Sequence, residues 1–120
     1  MKIFNNFEDR VNFVDENNLM VGYIMNRQCC EDFGWRLYSE KMKVVCDSNS
    51  ATPKAAFELD GYFFDKEYGY SKDGADGGLV GSIMFKMTNP KGNVRYLELY
   101  NYHEGYYTHG FSSFAGDGGI

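Results

Sequence analysis

Nowhere in these 120 residues is there an apolar run approaching the roughly 20 positions a membrane-spanning helix needs, so no membrane association is expected. Basic residues are also scarce. Lysine and arginine total 12 against 17 acids, a net charge of −5. A surface with that balance does not neutralise phosphates, which argues against direct nucleic-acid binding and favours a basic protein surface as its complement. Cysteine is limited to Cys29, Cys30 and Cys46. Their number is odd and two are neighbours, which rarely pair with each other, so a secreted disulfide scaffold is not expected. The opening "MKIFNNFEDR" lacks the apolar core and cleavage site of a signal peptide. The expected location is the cytoplasm.

Aromatic residues are plentiful: ten Tyr, ten Phe and one Trp make 18% of the chain. Such side chains bury large areas, and a buried tyrosine hydroxyl needs a partner. A chain of this length fits one domain, residues 1–120, with a core that needs no metal or disulfide.

The patterning is mostly that of strands. "KIFNNF" and "VNFV" are short alternating or apolar pieces, and "LMVGYIM" (19–25) reads as a strand with Gly22 as a candidate bulge. "RQCCEDFGWRLYSE" has no clean period, and a helical turn is placed at 29–33. "MKVVC" (42–46) is strand-like, and "DSNSATPK" clusters loop residues. "AAFELDGYFF" admits a helical turn after Pro53 followed by a strand. "DKEYGYSKDGADGG" is a long glycine-rich loop.

The clearest element is a hairpin, "LVGSIMFKMT" and "VRYLELYNY" joined by "NPKGN". Ile83, Phe85 and Met87 share a face, while Leu97 and Leu99 alternate with Tyr96, Glu98 and Tyr100. Bulky groups on both faces predict a central position. "YYTHGFSSF" can return as a further strand, and the tail "AGDGGI" reads as frayed. The expected fold is mainly β, with α+β as the alternative: a single-domain antiparallel sheet with one or two short helical turns.

Three stretches together resemble a family of small, largely phage-encoded proteins of unknown function. They are "MKIFNNFED" at 1–9, "RQCCEDF" at 27–33 against the family's "QDCCE", and "TNPKGNVRYLELYNYHEGYY" against its "TxKG…IRWxGxSNGYY" hairpin. The resemblance covers about half of the chain and leaves 41–78 unmatched. Gln28 stands where the family has an acid, and His103 and Glu104 replace its "SN". The resemblance implies a phage or mobile element in a bacterial host cell. No established activity comes with it, but small phage proteins often act by binding, either blocking a defence protein or sequestering a signal molecule.

Chemistry concentrates at 97–111, "LELYNYHEGYYTHGF", with four tyrosines and both histidines. On a strand, Tyr100 and Tyr102 point together while Asn101 and His103 point oppositely. Past a turn at Glu104 and Gly105, Tyr107 and His109 would share a face again. The tyrosines can be cross-strand packing pairs, or with Asn and His they can clamp a nucleobase by stacking. The candidate ligand- or partner-binding set is Tyr100, Asn101, Tyr102, His103, Glu104, Tyr106, Tyr107 and His109.

Cys29, Cys30 and Glu31 form a second motif, of open role. With the histidines they contain metal-ligating residue types, but not C-x-x-C or H-E-x-x-H spacing, and no metal or other cofactor is expected. A Cys30–histidine pairing would resemble a thiol hydrolase, and nothing in the order of residues places those groups together.

The leading expectation is a non-catalytic binding protein that inhibits a bacterial defence or host process through protein–protein contact. The tyrosine-rich stretch 96–111 and the acidic surface would form its interface. The alternative is a sponge that sequesters a small nucleotide-like signal molecule, and a metal- or thiol-dependent hydrolase is a further alternative. Assembly into a homo-oligomer stays open.

Overall fold

The computed structural model describes residues 1–6, 10–25, 32–49, 52–71, 81–102 and 109–120. In chain order its elements are β1 (Lys2–Asn6), β2 (Arg10–Val14), β3 (Met20–Ile24), β4 (Asp32–Ser39), β5 (Val44–Asp47), α1 (Thr52–Glu58), β6 (Phe63–Phe64), β7 (Tyr70–Ser71), β8 (Gly81–Thr88), β9 (Val94–Tyr102), β10 (Gly110–Ser113) and β11 (Gly118–Gly119). The fold is mainly β, as the alternation predicts. The strands make two antiparallel sheets where the sequence suggested one. The first runs β1-β2-β3-β10-β11, and the second β5-β4-β9-β8-β6, with β7 also on β8. No helix among the described residues is long and apolar enough to cross a membrane.

The two sheets pack face to face around one core, as amphipathic sheets must. Period-two alternation supplies both inner faces. Val11, Phe13, Val21, Tyr23 and Phe111 come from the first sheet, and Trp35, Leu37, Ile83, Phe85, Leu97 and Leu99 from the second. Phe13 meets Trp35 edge-on, with ring centroids 5.3 Å apart. Phe64 packs on Phe114 at 5.2 Å. The Tyr23 hydroxyl, fully buried, donates to the Tyr100 carbonyl at 2.9 Å across the layers. The helix begins beside Pro53, suited to a first helical turn, and lies against β1 and β5, with Ala55 and Leu59 in the core.

Asp15 stitches the layers on their polar side. It is buried, and its Oδ1 accepts the Asn17 and Leu19 N–H groups at 2.9 Å each, while Oδ2 accepts that of Phe64 at 2.8 Å. The first two bonds shape the β2–β3 turn, where Asn18 takes a left-handed φ of 61° that asparagine tolerates. The third reaches β6 in the opposite sheet.

Three local readings change. Gly22 is not a bulge, since its register with Asn12 and Ser112 continues without a break. A side chain there would collide with Asn12 and with the Arg10 guanidinium, which lie over the glycine. Asp32 and Phe33 are strand and not helical turn, and residues 29–31 lie outside the described ones. The tail is not frayed, because Gly118 and Gly119 pair with β10, and Ile120 exchanges two backbone hydrogen bonds with His109.

Candidate functional site

β9 is the central strand of the second sheet and divides its own chemistry between two faces. Arg95, Leu97, Leu99 and Asn101 look inward. Tyr96, Glu98, Tyr100 and Tyr102 look outward, beside Asp32, Gly34, Arg36 and Tyr38 of β4 in register. The other neighbour, β8, contributes Ser82, Met84 and Lys86 to the outward side.

The outward face is not an ordinary solvated one. Glu98 has no exposed surface, and Tyr38, Ser82, Met84 and Tyr100 are buried beside it. The Glu98 carboxylate accepts from the Tyr38 hydroxyl at 3.0 Å and from Arg36 at 3.3 Å. The same Arg36 nitrogen donates to the Tyr102 hydroxyl at 3.1 Å, and the guanidinium lies 3.7 Å over the centre of the Tyr100 ring. Stacking of this kind suits a delocalised, planar cation. Tyr100 and Tyr102 pack at 5.2 Å, and Tyr68 packs on Tyr96 at 6.2 Å.

Electrostatics follow from this geometry. Burial, then repulsion by Glu98 and the hydrogen bond to it, push the Tyr38 phenol up to about 12. Burial also raises Tyr100, with Asp32 and Asp47 adding to the shift while Arg36 and the Ser48 bond oppose it. Burial works against the Arg36 charge, but the Tyr102 hydrogen bond and the surrounding tyrosines hold its pKa above the ordinary value. Arg36 therefore stays a cation with its charge matched by Glu98. Gly34 leaves room for this packing, since a Cβ there would collide with Ser48 and crowd the Tyr100 hydroxyl.

Four of the eight candidate binding residues are described, and the structure separates them. Tyr100 and Tyr102 belong to the outward cluster. Asn101 and His109 are buried and point between the layers. Asn101 donates through Nδ2 to the Ile120 carbonyl at 3.1 Å. His109 stacks on Phe33 at 4.2 Å, and its Nδ1 lies 2.8 Å from the Ile24 carbonyl. A carbonyl only accepts, so Nδ1 carries the proton. His103, Glu104, Tyr106 and Tyr107 lie outside the described residues, as do Cys29, Cys30 and Glu31. The described residues contain no group of three or more His, Cys, Asp or Glu that could hold a metal ion.

Sequence reasoning missed Arg36, Tyr38 and the burial of Glu98. A signal was present for the first two: Phe33, Trp35 and Leu37 alternate with Gly34, Arg36 and Tyr38, which marks a strand with an aromatic–cationic face. No family model, curated protein or solved structure matches the chain.

Proposed function

We propose that the protein is a non-catalytic binding protein that engages a bacterial protein through the outward face of β4 and β9, inhibiting a defence or host process. The observation that carries this reading is the preorganised Arg–Tyr cluster. Arg36 is clamped by Glu98 and Tyr102 and stacked on Tyr100, and next to it Tyr96 and Tyr102 stay half-exposed and Tyr68 exposed. Arginine and tyrosine are the common anchors of protein interfaces, and anchors already held in place lose little entropy on binding. The net charge of −5 favours a basic partner surface. The phage or mobile-element origin and the bacterial cytoplasm rest on the resemblance of the two ends and the Cys-Cys segment.

The test is affinity capture from bacterial lysate with the intact chain and with Tyr96→Ala and Tyr102→Ala variants of equal thermal stability. The expected result is a specific host protein held by the intact chain and weakened roughly thirtyfold by at least one variant. Capture of the same protein equally well by both variants would move the interface elsewhere. A nucleotide seen bound by native mass spectrometry and lost in Tyr102→Ala, with no protein partner, would replace the reading.

A further inference from the structure

A second feature, which reaches the outward cluster at Ser82, lies where the first strand of the β8–β9 hairpin approaches the tail. A half-open cavity of about 350 Å³ is lined by Tyr70, Gly81, Phe111, Asp117, Gly118 and Ile120, among others. Its volume is within the usual range of small-molecule sites. We infer that this cavity is a binding site for an uncharged, amino-substituted aromatic heterocycle of nucleobase size. The inference is independent of the protein-contact reading.

Shape argues first. The Tyr70 and Phe111 rings stand at 80° to each other with centroids 5.8 Å apart. A planar ligand stacked on one ring therefore turns its edge to the face of the other, and stacked and edge-to-face are the two arrangements aromatic groups prefer. Glycines let the wall pack closely. A Cβ at Gly81 would press on the Asn101 carbonyl oxygen at 3.3 Å, and one at Gly118 would press on the Phe111 ring at 3.2 Å.

The wall is built and not incidental. The Ile120 carbonyl accepts from the His109 backbone at 2.8 Å and from Asn101 Nδ2 at 3.1 Å, while the Ile120 N–H donates to the His109 carbonyl at 3.0 Å. Asn101 and His109, two residues the sequence marks as candidates for ligand contact, thus hold the cavity wall from behind.

Polarity and charge then select the ligand. The exposed Asp117 carboxylate uses Oδ1 to accept the Ser113 N–H at 3.0 Å, which leaves Oδ2 to accept from an exocyclic amine. β11 ends its sheet, so among the described strands its main chain is paired only on the β10 side. Gly118 and Gly119 can therefore offer backbone groups to the edge of a base, as an open sheet edge does. No lysine or arginine is among the described lining residues, and the sole charged side chain there is that of Asp117. A phosphate beside the base would be repelled, which favours a nucleoside over a nucleotide.

Calorimetric titration of the intact chain with adenosine and with adenosine monophosphate tests this. The expected result is saturable adenosine binding, with the monophosphate several-fold weaker and Asp117→Asn narrowing that gap. Tyr70→Leu, which keeps apolar bulk, should weaken adenosine roughly five- to a hundredfold as its stacking surface is lost. Thermal melts of both variants establish that they are folded. The inference is overturned if the intact chain shows no saturable adenosine binding at millimolar concentration, if folded Tyr70→Leu binds as well as the original, or if the monophosphate binds as tightly as the nucleoside.

Discussion

The Tyr38 hydroxyl donates to the Glu98 carboxylate at 3.0 Å on the side of its sheet that looks away from the core, and Glu98 there has no exposed surface. A carboxylate so placed must be compensated, and Arg36 and Tyr38 together do it. The pair thus connects an electrostatic requirement to the shape of the face.

The first expectation concerns alkaline pH. The fold holds the Tyr38 phenol up to about 12, against about 10 when unfolded. The folded state therefore keeps this proton where the unfolded chain releases it. Its stabilising contribution is complete below pH 10 and is lost as pH rises through about 12. Tyrosine Cζ chemical shifts followed by NMR should show Tyr38 titrating late, and Tyr38→Phe should remove that part of the alkaline loss in stability.

Removing the carboxylate should cost more than altering it. Glu98→Ala removes the acceptor of the Tyr38 hydroxyl and the counter-charge of Arg36, which keeps its bond to Tyr102, at a cost of about 2–4 kcal/mol, discounted for the partial exposure of Arg36. Glu98→Gln keeps an acceptor oxygen and should cost about half of that. Urea unfolding measures both, and equal losses for the two substitutions would show that charge, not hydrogen bonding, is what matters.

The sandwich itself depends on Asp15. Asp15→Ala strands three backbone N–H groups, one of them in the opposite sheet, and should lower stability by about 2–4 kcal/mol. Asp15→Asn should fall between the native chain and the alanine variant, because its one amide oxygen can accept on one side only and without charge. Hydrogen exchange at Asn17, Leu19 and Phe64 should speed up together in the alanine variant.

Cys46 should be chemically silent. It is buried, and burial with nearby Glu58 pushes its thiol up to about 11. Little thiolate exists at neutral pH, so iodoacetamide should spare it in the folded protein and label it in urea. Peptide mapping distinguishes it from Cys29 and Cys30.

Much of this fold is legible in the chain. Ile83, Phe85 and Met87 against Leu97 and Leu99 announce the central hairpin, because a half-buried strand must alternate. The helix near Pro53 and the strand at Phe63–Phe64 follow from the same local rules. The division into two sheets does not, since it rests on Phe111 pairing with Tyr23, a contact between distant segments with no local marker. Glu98 shows the same limit: alternation places it beside Tyr96 and Tyr100, but its burial depends on what β4 brings across from it. The ordered tail is not legible because glycine-rich composition usually means looseness, while here Gly118 is needed to seat the Phe111 ring.

The pairing of β3 with β10 also governs how the molecule comes together in time. The β8–β9 hairpin can close early from neighbouring residues, as can β1 with β2 and β2 with β3. The first sheet is finished only when residues near position 111 reach those near 23, a long loop whose closure costs entropy and should come late. Assembly should therefore be slow for a domain of this size, on the order of milliseconds to seconds. Until that late step β3 presents an open edge that a second unfinished chain could occupy. Refolding at high concentration should accordingly favour exchanged strands, making the β3–β10 seam the point where yield is decided.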